Sequence, residues 1–125
     1  RILTVGSSGV IQPIPNLAYS NTLRSALVGW TKSLSNEVAA DGVTVYMLLP
    51  GRIQTERVEE LDAANAKRTG KPVEAIQEAA RLSIPAKRYG DVEEFAAVAA
   101  FLVSARAAYL TGSLIRCDGG AIRSV

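Results

Sequence analysis

The first apolar run is Ile2-Leu3-Thr4-Val5, short and rich in β-favouring residues, and it stops at Gly6-Ser7-Ser8-Gly9. That pattern predicts a buried strand leading into a loop. Val10 to Asn16 contains two prolines and predicts an irregular connection. From Leu17 to Ala40 the apolar positions Leu23, Leu27, Trp30, Leu34 and Val38 recur every three or four residues, the spacing of one helix face. Asp41-Gly42 should end this helix, because glycine accepts the left-handed backbone that a helix end requires. Val43 to Leu49 is almost continuously apolar and closed by Pro50-Gly51. Such a strand suits a parallel sheet covered on both faces.

Two more helical segments follow, Thr55 to Ala66 and Val73 to Leu82, broken around Thr69-Gly70-Lys71-Pro72. Their density of charge predicts the most solvated part of the chain. Asp91 with Glu94 has the spacing of a capping box and should start a helix reaching about Ser104, with Phe95, Val98, Ala99 and Leu102 as its buried stripe. Leu114 to Cys117 reads as a last short strand, followed by a turn at Asp118-Gly119-Gly120. Strands separated by helices predict an α/β fold with right-handed crossovers and a parallel sheet. There is no internal repeat.

Length and composition agree with one globular domain over residues 1–125. The chain is 48% hydrophobic and 21% charged, with 10 Gly and 5 Pro, unlike a disordered or fibrous sequence. Its 14 basic and 12 acidic residues are dispersed, and no basic run is interleaved with aromatics, so no nucleic-acid partner is expected. Cys117 is the sole cysteine and histidine is absent. Intrachain disulfides, His-based catalysis and a His-ligated or CxxC-type metal site are thereby excluded, and no metal site is expected. No apolar stretch approaches the roughly 20 residues of a membrane span, and a cytoplasmic location is expected. The chain opens inside a strand, without Met, which leads us to expect a piece of something longer.

Four features in this order resemble the second half of the short-chain dehydrogenase/reductase family. Thr4-Val5-Gly6-Ser7-Ser8 is similar to that family's strand ending in a catalytic serine, and Tyr19 to Leu34 to its active-site helix. Asp41-Gly42-Val43-Thr44-Val45 through Pro50-Gly51-Arg52-Ile53-Gln54-Thr55 resembles the second-half strand and the Pro-Gly-x-x-x-Thr cofactor loop. Pro85 to Gly90 with Glu93-Glu94, then Leu110-Thr111-Gly112 and Asp118-Gly119-Gly120, complete the match, which looks most like the β-ketoacyl-acyl carrier protein reductase branch. The resemblance implies the C-terminal half of a Rossmann-like, doubly wound parallel sheet in three α/β/α layers. It implies NAD or NADP as cofactor and a small-molecule carbonyl or alcohol as substrate. The family's Thr-Gly-x-x-x-Gly-x-Gly turn is not in this sequence, so these residues alone are expected to bind a dinucleotide poorly.

The family's proton donor is a tyrosine with a lysine four residues later, and here Tyr19 is followed at that distance by Leu23. Counting back from Gly29-Trp30-Thr31-Lys32 puts the family's tyrosine on Ser20 and its lysine on Arg24. The thirteen-residue step from Ser7 that is usual in the carrier-protein branch also lands on Ser20. Three readings stay open. Ser20 and Arg24 occupy the catalytic places without the usual acid; or Tyr19 reaches the substrate with Arg24 or Lys32 supplying charge; or Tyr19 only packs where the helix begins. The candidate catalytic set is Ser7, Tyr19, Ser20 and Arg24, and the candidate cofactor set implied by the resemblance is Pro50, Gly51, Ile53 and Thr55. Arg52 can meet a phosphate or an acidic substrate, or stand solvated. Lys67, Arg68 and Lys71 read either as a solvated lid or as a steering patch for an acyl carrier. The resemblance also implies helix and edge-strand contacts between subunits, so association with copies of itself or with a separate N-terminal half is expected. The reading from another class is a non-catalytic relative serving as a binding or assembly module.

Overall fold

The computed structural model describes residues 1–124. Seven elements follow in order: β1 (Ile2–Val5), α1 (Ala18–Val38), β2 (Val45–Pro50), α2 (Glu56–Thr69), α3 (Val73–Ser83), α4 (Val92–Leu102) and β3 (Ser113–Cys117). The strands form one sheet in the order β1-β2-β3, all parallel, with Leu3 beside Tyr46 and Met47 beside Leu114. Every residue from Val45 to Leu49 is fully buried, as its unbroken apolar sequence requires.

The two faces of β2 are covered by different helices. Tyr46 and Leu48 point to α4, where Leu102, Phe95, Val98 and Ala99 pack on them. The Tyr46 hydroxyl also donates to the Ala107 carbonyl at 3.0 Å. Val45, Met47 and Leu49 alternate to the opposite face, and α1, which also packs on β2, covers them. The layers are therefore helix, sheet, helix.

Helix α4 starts as its sequence predicts. The Asp91 side chain accepts from the backbone N–H of Glu94, while Glu94 Oε2 accepts from the Asp91 N–H at 2.9 Å. Glu94 is also held by a bidentate pair with Arg88, at 2.7 and 2.6 Å. The Arg88 guanidinium hydrogen bond, then the Asp91 N–H, pull the Glu94 carboxyl down to about 2 from 4.5. A carboxyl depressed in this direction favours the fold above its unfolded pKa, and that contribution is lost as pH falls from 4.5 toward 2. Glu94→Gln is expected to flatten the dependence of melting temperature on pH across that window, which thermal melts in citrate and phosphate buffers would measure.

One expectation needs correction. β1 was predicted to be a buried strand, yet Ile2 is 36% and Val5 57% exposed, because β1 lies at the sheet edge and pairs only with β2 among the described residues. In α1 the apolar stripe lies on the outer side of the helix, away from the sheet. Leu23, Leu27 and Trp30 are 68%, 37% and 48% exposed, and the fully buried positions are Thr31 and Ser35. Small side chains face inward there because the backbones come close: a Cβ on Gly112 would sit 2.5 Å from Ser35 Oγ.

Candidate active site

The loops that follow β1 and β2 leave the same end of the parallel sheet, where open α/β sheets place their ligand crevices. Gly6 extends β1 by donating to the Leu48 carbonyl at 2.9 Å, so Ser7 is the first residue beyond the ladder. Ser7 caps a 3-10 turn, its Oγ accepting from the Gly9 N–H at 3.1 Å. The Ser7 hydroxyl proton is not used in that bond and is available to a partner in front of the strand end.

The first turn of α1 is fastened to this loop by Asn21. Its Nδ2 donates to the Ile14 carbonyl at 2.9 Å and its Oδ1 accepts from the Ile14 N–H at 3.4 Å. A Cβ on Gly9 would lie 2.8 Å from Asn21 Oδ1 and 3.3 Å from Ser7 Oγ, so glycine is what lets loop and helix meet. Ser20, the neighbour of Asn21, is half-buried, and its Oγ accepts from Arg24 Nη1 at 3.3 Å. One turn of helix separates the two, the spacing at which side chains share a face. Tyr19 is 89% exposed. At that exposure it does not pack where the helix begins, and because one residue turns a helix by about 100° it does not share the face of Ser20 and Arg24.

The four candidate cofactor residues come together. Pro50, Gly51, Ile53 and Thr55 line a cleft of about 280 Å³ with Val5, Val58, Val92 and Phe95. Ser7, Ser20 and Arg24 stand outside its walls. Gly51 lies against the turn after β3, where an added Cβ would be 2.6 Å from the Asp118 Cα, and its N–H donates to the Cys117 carbonyl. Arg52 to Gln54 then pairs with the segment ending at Gly90. Gly90 N–H donates to the Arg52 carbonyl at 2.9 Å, and Gln54 N–H to the Gly90 carbonyl at 2.8 Å. In a parallel bridge of this kind the central residue's own N–H and C=O point the other way. The Ile53 N–H is therefore turned from the ladder and makes no backbone hydrogen bond among the described residues. Thr55 caps α2, its Oγ1 accepting from the Val58 N–H at 3.4 Å and donating to the Ile53 carbonyl at 3.3 Å. Both bonds are long, so the hydroxyl can exchange them for a ligand's amide.

Arg52 is not a cation awaiting a phosphate. Its Nη1 is paired with Asp62 Oδ1, and Asp62 is 1% exposed. The Tyr89 hydroxyl donates to Asp62 Oδ2 at 2.7 Å, and burial, then this bond, push the Tyr89 phenol above its ordinary value. Sequence reasoning missed both partners. Asp62 sits in a charged stretch, and only the rarity of a fully buried acid without a cation links it to Arg52. Lys67, Arg68 and Lys71 are exposed, and Arg68 bonds to Asn65 at 2.7 Å.

A family model described as enoyl-(acyl carrier protein) reductase matches residues 1–121. The NADPH-dependent reductase BacG of Bacillus subtilis is 34% identical over 125 residues, all of this chain and 48% of that protein. The 3-oxoacyl-[acyl-carrier-protein] reductase FabG of Vibrio cholerae is 37% identical over 122 residues, 96% of this chain and 45% of its own length. A crystal structure of a short chain dehydrogenase family protein from Francisella tularensis superposes with TM-score 0.92 at 27% identity, covering 98% of this chain and 51% of that one. The chain thus spans about half the length of the curated relatives it matches.

Proposed function

Because the chain belongs to the short-chain dehydrogenase/reductase family, we propose that it is the C-terminal half of an NAD(P)-dependent oxidoreductase acting on a small carbonyl or alcohol. The observation that carries this reading is the Ile53 N–H, turned from the ladder beside an apolar cleft at the carboxyl ends of two parallel strands. Those walls would hold a nicotinamide ring, and the Ile53 N–H and the Thr55 hydroxyl would be the groups that meet its carboxamide. When bound, the nicotinamide dinucleotide supplies or accepts the hydride. The name of the Bacillus relative, an NADPH-dependent reductase, supports NADPH as the first cofactor to try.

This chain's own residues then hold the carbonyl oxygen. Ser7 donates its hydroxyl proton to it. The Ser20–Arg24 pair offers a second hydroxyl backed by a permanent positive charge, which favours negative charge developing on that oxygen. Neither group is an acid near neutrality. Arginine stays protonated throughout the accessible range and a serine hydroxyl is far less acidic than the phenol near 10. The proton that completes the alcohol comes from water, passed through the Ser20 hydroxyl.

The test is a titration of the full-length polypeptide carrying these residues with NADPH, followed by its fluorescence. Saturable binding is expected, weakened about tenfold in Ile53→Pro, which deletes one N–H donor and leaves both ladder bonds intact. Absence of saturable binding by the parent polypeptide would remove the proposal. The missing phenol favours one second reading, a relative that binds dinucleotide and serves in binding or assembly. Tight NADPH binding with no hydride transfer to any ketone would support it.

A further inference from the structure

We propose that Asp62 is a positioning residue, clamping the Arg52–Thr55 ledge to helix α2 so that the ledge and the helix above it move as one body. The proposal rests on the reading of that ledge as the dinucleotide contact. Two kinds of restraint act on the ledge. Backbone bonds to Gly90 hold one side of it. The side chains of Arg52 and Tyr89, on neighbouring positions of the same ladder, both reach the one carboxylate of Asp62, each taking a different oxygen. Tyr89 also lies under Arg52, with the guanidinium carbon 5.7 Å from the ring centroid.

The burial of Asp62 sets it apart on its helix. Glu56, Glu59 and Glu60 are exposed, as are Lys67 and Arg68. A buried carboxylate is expensive unless both oxygens are occupied, and here both are. Its partners come from the ledge and from the segment paired with the ledge, not from α2. Helix α2 cannot swing without dragging Arg52, and Arg52 cannot turn without rotating the peptide that presents the Ile53 N–H. Arg52, the one charged residue from Pro50 to Thr55, gives Asp62 a partner at the point where the ledge needs holding.

Hydrogen exchange in the full-length polypeptide tests the clamp, with Asp62→Asn and the milder Tyr89→Phe, which removes one hydrogen bond and keeps the ring. The amides of Gln54 and Gly90 are expected to exchange about tenfold faster in both variants, while those of Tyr46 to Leu49 hold their rates, the signature of local opening. NADPH should bind at least about fivefold more weakly, since one hydrogen-bonded alignment of the ledge is disturbed. Uniform acceleration of all amides, or none, would overturn the proposal, making Asp62 a general stabiliser or a bystander. Local loosening with parental NADPH affinity would overturn it as well. If the parent polypeptide binds no NADPH, the cofactor reading falls and the exchange pattern alone decides the clamp. If Asp62→Asn does not fold, Tyr89→Phe decides.

Discussion

Ser20→Tyr combined with Arg24→Lys is expected to raise kcat for carbonyl reduction by about 10²-fold, the low end of what a positioned general acid contributes. The two side chains already stand one helical turn apart and touch at 3.3 Å. Exchanging them puts a phenol, near 10 when free, beside an ammonium group that favours its ionised form. The pH profile should change with the rate. The parent is expected to show no limb between about pH 7 and 10, because neither serine nor arginine titrates there, and the double variant should acquire one. Stopped-flow loss of NADPH absorbance against a panel of β-keto esters would measure both.

Leu48→Ala is expected to destabilise the fold by about 2–5 kcal/mol, the range for removing a fully buried leucine. Leu48 is 0% exposed on the central strand, and it packs with Tyr46 and Leu102 under α4. Its carbonyl also takes the Gly6 N–H that aligns the Ser7 loop. Urea melts should show the loss as a lower midpoint with an unchanged slope. A cost below about 1 kcal/mol would mean that α4 collapses into the space, contrary to the dense packing of such cores.

Much of this architecture was legible in the residue pattern. The unbroken apolar run at Val45 to Leu49 announced a two-faced strand, and Asp91 with Glu94 announced the start of α4. Both depend on neighbours in sequence, where periodicity and capping chemistry operate. The inward face of α1 was not legible, because it is chosen by how closely backbones approach, and Thr31 and Ser35 carry no hydrophobic signal. The Arg52–Asp62–Tyr89 cluster was hidden for a related reason. Its members are 10 and 27 residues apart, and each alone looks like a solvated residue. At the candidate site, the grouping of Pro50, Gly51, Ile53 and Thr55 follows from one loop. The choice between Tyr19 and Ser20 does not, since it turns on a single residue of helical register.

That register is most directly tested by comparing Tyr19→Phe with Ser20→Ala in single-turnover hydride transfer from NADPH. Tyr19 is 89% exposed while Ser20 is half-buried against Arg24. Tyr19→Phe should therefore react at the parental rate, and Ser20→Ala should be slower by about tenfold or more, as expected when a hydroxyl that serves the transition state is removed. A rate lost with the Tyr19 phenol and kept without the Ser20 hydroxyl would contradict the account.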